Sequence, residues 1–248
     1  MATDDSATQG PDGSTPPEDD LTAFFNLLNE LKATGCNLLI VGDAPRGVFA
    51  RASSRLLGDE KALRYRLLAV TDAMPQSVAD RLPESDATPH PLSATTRILN
   101  HAGTPRSVAT TNPGAPSELT DIEETRVADP ELQGLQSELI DAIESAAAEA
   151  GGLRPADLRV GVDSLDPLLE QYGEDVVKRC LDAVGERVHD HSGMAHYVLT
   201  NSYDSDPVQS LVPTADAVIE LRTVNPDEYG QQRWHVPERD FTTEWTPL

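Results

Sequence analysis

Lysine is nearly missing from this 248-residue chain. Only Lys32, Lys61 and Lys178 occur, and the rest of the 19 basic residues are arginine. Against them stand 42 acidic residues, for a formal net charge of −23. A surface this acidic excludes direct nucleic-acid binding, which needs a basic stripe to displace counterions from phosphate. Aromatic residues are also sparse, at 4%. Acid excess, scarce lysine and scarce aromatics together fit a salt-loaded cytoplasm. At molar salt the Debye length is only about 3 Å, so self-repulsion is screened while the acidic surface keeps the protein dispersed. No run approaches the ~20 apolar residues of a membrane span, and the opening MATDDSATQG is not a signal peptide. There are two cysteines, Cys36 and Cys180, far apart and each beside apolar segments. They read as reduced core residues, not as a disulfide or metal pair. The expected location is the cytoplasm.

What is present is α/β patterning. Residues 1–19 are polar, acidic and rich in Gly, Ser and Pro, and read as a disordered tail. LTAFFNLLNELKATG then repeats apolar residues at helical spacing and stops at Gly35. CNLLIVGD is a continuous apolar run of strand length, as in a parallel sheet buried on both faces. A helix is expected over 47–57, a strand at YRLLAVTD, and a short helix at PQSVADRL, started by Pro75. Residues 84–129 are rich in Pro, Ser, Thr and Gly, with short strands possible at TRILNH and SVATT. Further on come a long helix at PELQGLQSELIDAIESAAAEAG, a strand at LRVGVDSL, a helix at EDVVKRCLDAVGERVHDH, and strands at MAHYVLTNS and AVIELRTV. QQRWHVPE reads as an antiparallel partner to AVIELRTV. Strands alternating with helices predict an α/β domain around a mostly parallel sheet. The expected organisation is a tail at 1–19, one domain at 20–238 and a C-terminal tail at 239–248. Functional residues should lie where strands end, in GDAPRG, TDAMPQ, DSLDP and TNSYD.

One of these junctions looks like a phosphate-binding loop. Gly42 and Gly47 are spaced as in G-x-x-x-x-G-K-[ST], after a strand and before a helix. Such a loop curls backbone N–H groups around an anion, adds the partial charge of a helix N-terminus, and relies on a Lys and a Ser or Thr for the terminal phosphates and Mg²⁺. Here Val48 and Phe49 follow instead, and Pro45 removes one N–H donor. Arg46 offers positive charge from a different position. A strand–turn–helix junction needs a tight turn anyway, so two glycines alone are weak evidence. Two further pieces add to it. VGVDSL has the form of an Mg²⁺-supporting strand ending in Asp163, and YRLLAVTD ends at Asp72.

Taken in order, GDAPRG, VTDAMPQSV, VGVDSL, the strand ending near Thr200-Asn201-Ser202, DAVIEL and the final antiparallel strand resemble the KaiC/RadA branch of the RecA-like ATPases. The resemblance runs from about Gly35 to Pro237. It is nearest to stand-alone RecA-like proteins of haloarchaea with eroded ATP sites and no assigned activity. The resemblance implies a RecA-like parallel sheet flanked by helices, with an antiparallel C-terminal edge. It also implies that an acidic pair has been reduced to Asp72 and Ala73. The nucleotide site would be vestigial, made of Gly42, Arg46, Gly47 and Asp163, with Asp72 as the vestige of the catalytic base. No cofactor and no metal are then expected.

Three functions follow. The first is a non-catalytic regulatory or scaffold module acting on a protein partner, such as an active RecA/KaiC-like ATPase or a signalling protein, with a homo-oligomer possible. The second is an unconventional Mg-ATP binder or slow ATPase, with Arg46 or Arg51 replacing the lysine, Asp72 as base and Asp163 on Mg²⁺. The third is a Rossmann-like enzyme or binder, although no G-x-G-x-x-G is present. Other candidates have simpler readings. His189 and His191 flank Asp190 at a helix end, where positions i and i+2 point apart. Ser164 lacks a nucleophile elbow. His196 reads as a core histidine. Trp234 and Trp245 read as anchors for the last strand and tail, with Trp245 also open to a partner-binding role.

Overall fold

The computed structural model describes residues 18–72, 78–83, 88–101, 122–127, 131–224 and 230–248. Helix α1 (Glu18–Thr34) leads into strand β1 (Cys36–Asp43) through Gly35 alone. Gly35 has φ +88°, and a Cβ there would sit 2.9 Å from the Gly193 carbonyl oxygen, so the reversal requires glycine. Next come α2 (Arg46–Leu56), β2 (Tyr65–Val70), a 3₁₀ turn at Ala79–Arg81, α3 (Leu92–Thr95), β3 (Thr96–Asn100) and β4 (Glu123–Arg126). The second half holds α4 (Leu132–Glu149), β5 (Leu158–Val162), α5 (Asp166–Tyr172), α6 (Glu174–Asp190), β6 (Met194–Val198) and α7 (Asp206–Leu211). It closes with β7 (Ala217–Arg222), β8 (Gln231–Val236), β9 (Phe241–Thr242) and β10 (Thr246–Pro247).

The strands form one sheet in the order β10-β8-β7-β1-β6-β5-β2-β3-β4, with β9 also on β8. Every neighbouring pair from β7 to β4 is parallel. β8 runs antiparallel to β7, and β9 and β10 run antiparallel to β8. The fold is therefore α/β with a mostly parallel sheet and an antiparallel C-terminal edge. β1 is apolar throughout because it is buried on both faces. Leu39 and Val41 enter the core under α4 to α7, while Leu38 and Ile40 face α1 and α2. The first two strands are not neighbours, because β6 and β5 lie between them. A Rossmann sheet, ordered 3-2-1-4-5-6, pairs its first two strands.

The crossovers create a crevice. The chain leaves β1 and β2 toward the α2 side, where Phe49, Val78 and Leu82 are buried, and leaves β5 and β6 toward the other side, where Leu168 and Val208 are buried. The loops diverge at the carboxyl ends of these strands, the usual place for a ligand in an open α/β sheet.

Some elements differ from expectation. Residues 239–248 join the sheet through β9 and β10, and Leu248 is buried beside Trp234. β4, with sequence EETR, is a polar strand without alternation, held by pairing to β3. The possible strand SVATT, and residues 75–77 of the helix expected at PQSVADRL, lie outside the described residues. So does the expected tail, apart from Glu18 and Asp19, which begin α1.

Candidate functional site

The junction after β1 is short. β1 continues through Asp43 and α2 starts at Arg46, so only Ala44 and Pro45 lie between them. The two glycines do different work. Gly42 has φ +136°, and a Cβ there would sit 2.0 Å from the Leu221 carbonyl oxygen. It lets β1 lie against β7, and its N–H donates to the Asn201 carbonyl at 2.8 Å. Gly47 is exposed in the first turn of α2, with nothing within 4 Å of its Cβ position. Phe49 stands where a phosphate loop would place its Mg²⁺-binding hydroxyl, and it is 2% exposed in the core beneath α2. Val48, in the lysine position, packs against the same core.

The acidic groups are engaged by the protein itself. Asp163 follows β5 and is 4% exposed. Its Oδ1 accepts from the Thr71 backbone N–H at 2.7 Å, the Thr71 hydroxyl at 2.8 Å and the Asp72 N–H at 3.3 Å. Burial pushes its carboxyl upward from the ordinary range, while these bonds and the Arg81 guanidinium pull it back. Arg81 is itself buried and donates to the Asp163 carbonyl at 3.4 Å. Asp72 pairs with Arg46 across the mouth of the crevice, Nη1 to Oδ2 at 2.7 Å. Also after β5, at the start of α5, Asp166 Oδ2 accepts from the Ser164 hydroxyl at 3.1 Å and, beyond the end of β6, from the Thr200 N–H at 3.2 Å and the Thr200 hydroxyl at 2.9 Å. The crevice thus collects Arg46, Asp72, Thr71, Asp163 and Arg81, with its charges set against one another. Arg51 is exposed further along α2.

The sequence named Gly42, Arg46, Gly47, Asp72 and Asp163 here, and the structure brings Arg46 together with Asp72, and Asp163 with the turn that carries Asp72. It missed Thr71, Arg81 and Asp166. Thr71 ends an apolar run beside Asp72 and was findable as a strand-end hydroxyl. Nothing around Arg81 marks it in sequence, since its reach depends on the turn at Ala79–Arg81.

The other candidates lie elsewhere. His196 Nε2 is 2.7 Å from the Ser53 hydroxyl, and burial drives its pKa down to about 3, so it is a neutral core residue. His189 meets Asp216 at 3.0 Å and His191 meets Glu144 at 3.4 Å, so the two imidazoles face different partners. No group of three metal-ligating side chains occurs among the described residues. Both cysteines are free and buried, and burial pushes each thiol up to about 12. Trp234 packs edge-on against Phe24. Trp245 lies under the guanidiniums of Arg222 and Arg233, at 3.9 and 4.6 Å.

This arrangement lies within a stretch matched by a known profile, the Family of unknown function (DUF7504), over residues 35–221. The chain belongs to this family. The DUF7504 stretch starts at the Gly35 reversal and ends in β7, so it contains the crevice and every residue just placed in it. No curated protein matches the chain. Among the described residues, no helix of this DUF7504 protein is long and apolar enough to cross a membrane.

Proposed function

We propose that this protein is a non-catalytic RecA/KaiC-like regulatory or scaffold module, acting in the cytoplasm through a protein partner. An active ATPase of the same type or a signalling protein is the partner class that this reading favours. The observation that carries it is the self-satisfied crevice. Arg46 and Asp72 neutralise each other at 2.7 Å, and Asp163 is committed to the Thr71–Asp72 turn. Phosphoryl transfer depends on positioning and charge stabilisation around a bound triphosphate. A nucleotide here would have to break an ion pair, and would find Val48 and Phe49 committed to the core where a lysine and a hydroxyl would be needed.

One observation favours a nucleotide-binding alternative. The Arg46 side chain is 67% exposed at the start of α2, so its pairing with Asp72 is solvent-accessible and weak. Thermal unfolding in molar KCl with millimolar Mg-ATP or Mg-GTP separates the two. A ligand at ~100 times its Kd stabilises by about 2.7 kcal/mol, which shifts the melting temperature visibly. The proposal expects no shift. An Mg²⁺-dependent shift that disappears in Asp163→Asn would sink it and establish nucleotide binding in this crevice.

A further inference from the structure

Opposite the crevice, at the amino-terminal end of the sheet, three arginines converge. Arg66 in β2 and Arg159 in β5 are direct partners across the ladder, and are 1% and 6% exposed. Arg64 precedes them at the entry to β2. Among the described residues only one carboxylate is ion-paired within this group. Asp157 takes Arg64 Nη1 on Oδ1 at 2.9 Å and the Arg154 N–H on Oδ2 at 3.2 Å. Three guanidiniums against one carboxylate leave two positive charges at a largely buried place.

Backbone carbonyls offset part of that charge. Arg66 Nε donates to the Leu57 carbonyl at 3.1 Å, and its Nη atoms donate to the carbonyls of Arg64, Gly58 and Asp59. Arg159 donates to the carbonyls of Ala156 at 2.9 Å and Leu56 at 3.3 Å. Leu56 and Leu57 end α2, whose C-terminus carries roughly half a negative charge. That is less than the two charges to be offset. One donor is also left over. Arg64 Nε is buried and has no acceptor, and the side chain is held in place over Gly58, whose hypothetical Cβ would lie 3.0 Å from Arg64 Cγ. Buried donors are nearly always satisfied, so this one calls for a bound water or an ion to complete it. Burial first, and then the nearby charge of Arg64, lower both Arg66 and Arg159 to about 10, in keeping with uncompensated charge.

We infer that this cluster is a binding site for a small monovalent anion such as chloride, accepted by the Arg64 Nε–H and held by the field of Arg66 and Arg159. A single negative charge supplies the missing acceptor and, with the α2 terminus, most of the missing counter-charge. A multiply charged anion fits less well, because the carbonyls gathered around Arg66 and Arg159 would repel it.

The test uses the full chain in solution. In ³⁵Cl NMR, wild-type protein should give excess line broadening that bromide competes away. Arg64→Gln, which removes the orphan donor and one charge while keeping Arg66 and Arg159, should lose it. Broadening that is absent in the wild type, or equal in the variant, overturns the site. Crystals grown in KBr give a readout that does not depend on the variant folding. An anomalous bromide peak at hydrogen-bond distance from Arg64 Nε is expected, and no peak there overturns the inference.

Discussion

Gly42 and Gly47 look alike in sequence and differ in what a side chain would meet. At Gly42 a methyl group collides with the Leu221 carbonyl oxygen at 2.0 Å, on a backbone at φ +136°. Backbone strain of that kind costs about 1–3 kcal/mol before the strand pairing is disturbed. Gly47 is helical and open. Gly42→Ala should therefore destabilise by at least that much, while Gly47→Ala should be neutral or stabilise by up to ~1 kcal/mol. Denaturant midpoints in molar KCl read both. If Gly47→Ala proved the more damaging, the loop would need a conformation other than this helical turn. His189 gives a second residue-scale prediction. Its hydrogen bond to Asp216 raises its pKa above the ordinary value near 6.5. Burial pushes Asp216 up, but the bonds from His189 and the Asn37 N–H outweigh this and leave it lowered. The His189 contribution is complete below about 6.5 and fades as pH rises through the raised pKa. The Asp216 contribution holds above about 3.9 and fades as pH falls through the lowered pKa. The pair is therefore strongest from about pH 4 to 6.5. Wild-type melting temperature should fall between pH 6 and 9 by more than that of His189→Gln. Parallel pH profiles would refute the pairing.

At the scale of elements, Asp163 acts as a staple between strands. It leaves β5 and binds the backbone and hydroxyl at the end of β2, next door in the sheet. Asp163→Ala strands those buried donors and should cost about 1–3 kcal/mol even without Mg²⁺. Asp163→Asn keeps an acceptor oxygen and should cost less. Equal losses in chemical-denaturation curves would mean that the negative charge, not the acceptor, is what the turn requires. This also shows where the sequence was legible. β1, β5, β6 and β7 are written as apolar runs because both sheet faces are covered, and α4 and α6 by their period. EETR carries no period, since pairing to β3 alone makes it a strand. The short helices α5 and α7 begin at Asp-Pro and are too brief to show periodicity. At the site, the glycine spacing and Asp163 could be read from sequence, but not their roles. A glycine kept for a close approach to β7 and one left open on a helix are the same letter. An aspartate that holds a turn looks like one that holds a metal.

For the whole molecule, two electrostatic terms oppose each other as salt rises. The net charge of −23 repels itself, and at 0.1 M salt the Debye length of about 10 Å lets that repulsion act across much of the surface. Salt relieves it. Salt also weakens attractive pairs such as Arg46–Asp72, Arg187–Glu144 and Arg239–Glu30. Those pairs have at least one partner well exposed, and exposed pairs are worth about 0–1 kcal/mol each. A few weak local attractions cannot balance the long-range repulsion in a chain whose acids outnumber its bases by more than two to one. The screened repulsion therefore wins, and raising KCl from 0.2 to 2 M should raise the melting temperature throughout. The anion site at Arg64 adds a component with a different signature. It saturates once the site is filled and vanishes when chloride is replaced by a bulky anion at equal ionic strength, whereas screening depends on ionic strength alone. Melting curves across KCl and potassium glutamate series resolve the two. A melting temperature that falls as KCl rises would show that local ion pairs, not net charge, govern how this fold responds to salt.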